Sequence, residues 1–187
     1  RRGNGELNAA ELRQALLAVN AVDLAQVEAA AASRKLREFA EQSGDLELLN
    51  VAGSCEARLA VWQGNLEPAI RWQRSFREPH DVPSMSIWLE LPHITECRVL
   101  IAHGRESDLQ QAAEKLASLR EGLSHLHNTC SLIDVIVLQA LVQEKLGRSK
   151  EALHTLQEVV GLAEPGGWIR PFVEAGKAMD ELLDRLD

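Results

Sequence analysis

The sequence predicts an all-α chain, a right-handed superhelix of antiparallel helix hairpins, and three observations carry that expectation. Ala, Leu, Glu, Gln and Arg fill long stretches while Tyr is absent and Phe numbers three, a composition that favours helix over strand. Alternating runs of Val, Ile and Thr bounded by turn residues are scarce, so the period-2 signature of a half-buried strand is missing. A glycine-ended segment recurs along the chain, and self-similarity at a fixed spacing is the mark of a stacked repeat.

The first copy is Glu56-Ala57-Arg58-Leu59-Ala60-Val61-Trp62-Gln63-Gly64, and 40 residues later comes Glu96-Cys97-Arg98-Val99-Leu100-Ile101-Ala102-His103-Gly104. A third, Gln139-Ala140-Leu141-Val142-Gln143-Glu144-Lys145-Leu146-Gly147, follows after a further 43. Glycine closes each helix because it takes the left-handed conformation of a helix end without a Cβ penalty. Gly64 and Gly147 are followed five residues on by Ala69 and Ala152, small residues that let the second helix of a hairpin approach the first. The middle copy delays its small pair to Ala112 and Ala113, which predicts a longer turn.

In order, helices are expected near 7–19, 24–43, 45–63, 66–77, 84–103, 106–126, 129–146 and 149–163. The first two form a degenerate hairpin broken at Asn20–Asp23 and closed by Ser43-Gly44-Asp45. Pro79 and Pro83 open the loop after the fourth, and Pro92 is expected to kink or interrupt the fifth. Asn128 or Thr129 supplies a cap for the seventh. This divides the chain into a disordered or adventitious lead at 1–6, helical-hairpin repeats at 7–163, and junction helices at 164–187. Arg1 in place of Met, and an amphipathic end at Asp187, suggest an excerpt of a longer polypeptide.

Charge and cysteine content narrow the function. A net charge of −8 supplies no broad cationic face for nucleic acid or anionic lipid. The absence of a long apolar run and the polar beginning argue for a soluble, cytoplasmic protein. Cys55, Cys97 and Cys130 are odd in number and form no CxxC pair, against a disulfide framework or a four-thiolate zinc site.

Two stretches carry a resemblance. Trp88-Leu89-Glu90-Leu91-Pro92-His93 leading into Cys97–Gly104, and Ala163-Glu164-Pro165-Gly166-Gly167-Trp168-Ile169-Arg170-Pro171-Phe172-Val173-Glu174-Ala175-Gly176, resemble MalT-like, LuxR-type transcriptional activators over about residues 20–187. The resemblance implies a tetratricopeptide-like (TPR-like) superhelix that receives an inducer, a small molecule such as an oligosaccharide or a regulatory protein, and helps control self-association. In that family it lies between ATP-binding and winged-helix modules and a C-terminal helix-turn-helix. No G-x-x-x-x-G-K-[ST] loop occurs here, so no cofactor is expected, and ATP and DNA sites belong to absent parts of such a chain.

Candidate binding residues follow from the register that puts Gly64, Gly104 and Gly147 at position fifteen of each repeat. Ala57, Cys97 and Ala140 then fall at position eight, where close packing needs a small side chain. Arg58, Arg98 and Leu141 fall at position nine, and Ser54, Ile94, Asp134 and Glu144 share the expected concave wall. Arg58 and Arg98 either clamp an anion through forked hydrogen bonds or join an ion-pair ladder with Glu56, Glu96, Asp134 or Glu144. Among the tryptophans, Trp72 and Trp88 are ligand candidates competing with a core-packing role, while Trp168 is expected to fill the junction core. His125, His127 and Cys130 look faintly metal-like, but two histidines two apart on a helix diverge and no fourth ligand is evident, so no metal is expected.

No nucleophile elbow, paired base or acid constellation points to catalysis. The leading expectation is a non-catalytic sensor with no membrane contact and no nucleic-acid contact of its own. A general TPR-type scaffold that holds a helix or extended peptide in its groove is the alternative.

Overall fold

The computed structural model describes residues 23–77 and 90–186. The helix expected at 7–19, the lead at 1–6, the two-proline loop and Trp88 lie outside the described residues. Every regular element among the described residues is helical. The chain divides into two compact units that meet in sequence between Asp108 and Leu109.

In the unit from 22 to 108, helices α1 (Asp23–Ser43), α2 (Leu46–Trp62), α3 (Leu66–Ser75) and α4 (Pro92–His103) follow one another, with α2 packed against each of the other three. Asp45 caps α2 by accepting hydrogen bonds from the Glu47 and Leu48 amides at 2.8 and 3.3 Å, an arrangement worth about 1 kcal/mol. The core is built of small side chains: Ala57, Ala60, Ala69 and Val99, flanked by Val61, Ile70 and Trp72. Alanine at these contacts lets the helix axes come close, because no side chain longer than a methyl separates the backbones.

Helix α5 (Glu106–His125) crosses the boundary between the units. In the second unit α6 (Thr129–Lys145) packs against α7 (Ser149–Ala163) and α8 (Arg170–Glu174). A 3-10 turn at Glu164–Gly166 precedes α8, and α9 (Lys177–Leu183) packs back on it. This core is bulkier, with Leu116, Ile133, Ile136, Leu156, Phe172, Met179, Leu182 and Leu183 all buried. Arg120 of α5 donates to Gln139 of α6 at 3.2 Å and also to Glu158 of α7.

The helix ends share one physical device. Gly64, Gly104 and Gly147 sit at φ of 72°, 76° and 77°. After Gly64 the Asn65 amide reaches back to the Ala60 carbonyl, and after Gly147 the Arg148 amide reaches back to Gln143, both at 2.9 Å, closing the orphan carbonyls of the last turn. A Cβ at Gly64 or Gly147 would meet nothing within 4 Å, so backbone angle and not crowding accounts for glycine there. His127, at φ 53°, makes the same turn with a side chain, and the Asn128 amide reaches the Leu123 carbonyl at 3.3 Å.

One local expectation is narrowed and another corrected. The helix expected at 84–103 is interrupted at Pro92 and not kinked there: Pro92 is the first residue of α4, with Leu91 extended at φ −109° and ψ 101°. Proline is tolerated there because a first-turn amide has no intrahelical acceptor. Trp168 does not fill the junction core: it is 41% exposed, and Phe172 occupies the interior. Its indole folds over the turn, where a Cβ on Gly166 would lie 2.1 Å from Nε1, and only a bare Cα leaves room for it.

Candidate functional site

Helix α2 contributes to two sites of polar or aromatic side chains within the unit from 22 to 108. Ser54 and Arg58, one turn apart, meet Glu90, which stands just ahead of α4. The Glu90 carboxylate is buried and accepts three hydrogen bonds: Ser54 Oγ at 2.9 Å and Thr95 Oγ1 at 2.6 Å on Oε1, and Arg58 Nη1 at 2.7 Å on Oε2. Ser54 and Thr95 are themselves fully buried. A buried carboxylate is tolerated only when its charge is paired and its lone pairs are filled, and both conditions hold here.

The second site is a cleft of about 450 Å³ formed by α1, α2 and α3. Its walls include Arg37 from α1, Asn50, Gly53 and Glu56 from α2, and Arg71, Trp72 and Phe76 at the α3 side. Arg37 is held by Glu56, its Nε donating to Oε1 at 3.1 Å and its Nη2 to Oε2. That bond raises the Arg37 pKa above its ordinary value, so the guanidinium keeps its charge and that charge is already paired with Glu56. Trp72 stacks on Phe76 with ring centroids 5.1 Å apart, and Phe76 meets His93 of α4 edge-on at 5.5 Å. Gly53 makes the indole's position possible, since a Cβ there would sit 2.8 Å from Trp72 Nε1.

A third polar cluster closes this unit. Asp108 is buried and takes two bonds from Arg105, at 2.8 and 3.0 Å, and one contact from His103 Nδ1 at 2.7 Å. The Arg105 guanidinium holds its carboxyl below the usual carboxylate range despite the opposing effect of burial.

The residues singled out by the repeat register are distributed among these surroundings. Ala57, Cys97 and Ala140 are buried, as are Ala69 and Ala152. Arg58 bonds Glu90, which the ladder of acidic partners proposed from the sequence did not contain. Arg98 is buried at 7% exposure, Trp72 is half-buried and lines the cleft, and Asp134 belongs to the other unit. Glu144 is engaged by Arg185 at 2.6 and 3.3 Å, which lowers its pKa. His127 is the helix-ending residue described above, Cys130 is exposed, and no group of three potential metal ligands occurs among the described residues. Sequence reasoning passed over Glu90, Gly53 and Arg37. The available signal for Glu90 was a lone acid in the apolar run Trp88-Leu89-Glu90-Leu91.

The profile of the MalT-like TPR region matches residues 2–187. The chain belongs to that family. A MalT-like TPR region is built of helix hairpins, in accord with the all-α class expected and with the glycine-ended α2, α4 and α6. The HTH-type transcriptional regulator MalT of Klebsiella pneumoniae (strain 342) is 27% identical over 140 residues, 73% of this chain. This MalT-like TPR region spans about 15% of the length of that relative. No solved structure matches significantly. No helix among the described residues is long and apolar enough to cross a membrane.

Proposed function

We propose that this MalT-like TPR region is the effector-sensing part of a transcription regulator, acting in the cytoplasm without catalysing a reaction. In this reading it takes up a small-molecule inducer or a regulatory protein and thereby controls self-association. The family match across residues 2–187 carries the regulatory reading, and the cleft beside Trp72 supports a small molecule as the message. A volume of about 450 Å³ falls in the range of ordinary small-ligand sites.

Of the candidate residues, Trp72 touches the effector in this reading, while Arg58 braces Glu90 and through it the start of α4. An effector acts only by preferring one assembly state, since equal affinity for both shifts no equilibrium. The experiment is a metabolite screen by thermal shift on the 187-residue chain, followed by light scattering on a regulator containing it. A hit that raises the melting temperature and changes the assembled mass supports the sensor. A peptide or protein partner that binds in the absence of any small-molecule hit favours the scaffold alternative.

A further inference from the structure

The cleft beside Trp72 has a charge and a shape that specify more than the word effector. Its lining carries two guanidiniums, Arg37 and Arg71, against one carboxylate, Glu56. The Arg37–Glu56 pair is closed on itself by two hydrogen bonds. Arg71 has only a contact at 3.5 Å with Glu67, both side chains being more than 60% exposed, and an exposed i,i+4 pair of that length is worth a few tenths of a kcal/mol at most. One cation at the cleft is therefore available to a ligand, in a chain whose net charge is −8.

The opposite requirement comes from the rings. Trp72 and Phe76 stack with an interplanar angle of 28°, and aromatic faces of this kind favour a planar, polarisable partner. Gly53 withholds the Cβ that would strike the indole edge, which keeps Trp72 seated against α2. A volume of about 450 Å³ takes one or two fused rings with a polar substituent, whereas a peptide helix, about 10 Å across with its side chains, needs a longer trough.

Building on the sensor reading, we propose that this cleft binds a small planar aromatic carboxylate, its ring lying against Trp72 and Phe76 and its carboxylate paired with Arg71. A neutral polyhydroxylated ring would leave Arg71 with no more than its long contact to Glu67. A non-planar acid would answer it but forgo the stacking.

The test is calorimetric titration of the 187-residue chain with 2-naphthoate, 2-naphthamide and cyclohexanecarboxylate, with a neutral trisaccharide for comparison. Naphthoate is expected to bind saturably at one site, and the amide and the non-planar acid at least tenfold more weakly. Arg71→Gln should weaken naphthoate at least tenfold and leave naphthamide unchanged, Trp72→Leu should abolish binding, and Arg148→Gln, on the other unit, should do nothing. Arg71 is exposed, so its variant folds and keeps the test decisive if Trp72→Leu does not fold. Absent naphthoate binding, equal affinity for acid and amide, or indifference to Arg71→Gln overturns the proposal. If naphthoate fails while a neutral metabolite stabilises the chain, the aromatic acid falls and the sensor stands. If naphthoate binds through Arg71 but leaves the regulator's assembly unchanged, the ligand class stands and the sensor reading falls.

Discussion

Arg58 Nη1 lies 2.7 Å from Glu90 Oε2, joining the middle of α2 to the residue two positions before α4 begins. The other oxygen of the same carboxylate takes the hydroxyls of Ser54 and Thr95. One acid therefore ties the start of α4 to the middle of α2, and Pro92 can begin that helix directly behind it.

Removing that acid strands its partners. Glu90→Ala leaves Arg58 and two fully buried hydroxyls without this acceptor, and breaking a buried, hydrogen-bonded pair by deleting one member costs roughly 3 kcal/mol. Urea denaturation should show a midpoint lowered accordingly. A loss below about 0.5 kcal/mol would mean that the carboxylate is no anchor.

The left-handed helix ends make opposite predictions at two positions. At Gly147, where added Cβ atoms meet open space, alanine is penalised by backbone angle alone and Gly147→Ala should cost about 1 kcal/mol. His127 already bears that penalty at φ 53°. His127→Gly relieves about 1–2 kcal/mol of left-handed strain and loses about 0.5–1 kcal/mol to the freer unfolded chain, for a net gain near 0.5 kcal/mol. Thermal melts of both variants check the pair of signs.

Asp108 predicts an acid-side effect. Its carboxyl is depressed chiefly by the Arg105 hydrogen bonds, so the unfolded chain takes up a proton more readily than the folded one. The contribution is complete above the ordinary carboxylate pKa of about 4 and fades as pH falls through the lower folded value. Asp108→Asn should therefore melt below wild type at pH 7, with the gap closing toward pH 3. A gap that persists undiminished at pH 3 would assign the effect to packing.

The cysteines should differ in reactivity. Burial pushes the Cys55 thiol up to about 11, Cys97 is fully buried, and Cys130 is exposed. The thiolate is the nucleophile, so brief alkylation of the native chain at pH 8 should label Cys130 alone. Peptide mass spectrometry reads this directly, and comparable labelling of Cys55 would contradict its burial.

Much of the helical plan was legible because its causes are local. The helix expected at 149–163 coincides with α7, those at 24–43 and 129–146 differ from α1 and α6 by a residue, and the glycines that end α2, α4 and α6 announce themselves by spacing. The turn at His127 was not legible, because its helix end lacks the glycine that marked the others, and histidine's preference for the left-handed region is far weaker than glycine's. Trp168 misled for a related reason: helical spacing grouped it with Phe172, but the turn at Glu164–Gly166 breaks the helix between α7 and α8 and turns the indole outward.

From residue order alone came the all-α class, the hairpin repeat and the kinship with MalT-like regulators, since helix propensity, apolar period and glycine ends act over a few neighbouring residues. Tertiary packing alone decided which acid answers Arg58 and which rings and cations share a cleft. Glu90 stands 36 positions from Ser54, and Arg37 stands 19 from Glu56. Hydrogen bonds across such separations exist only after the helices have docked, because docking sets their geometry and excludes the water that would otherwise compete for the same charges.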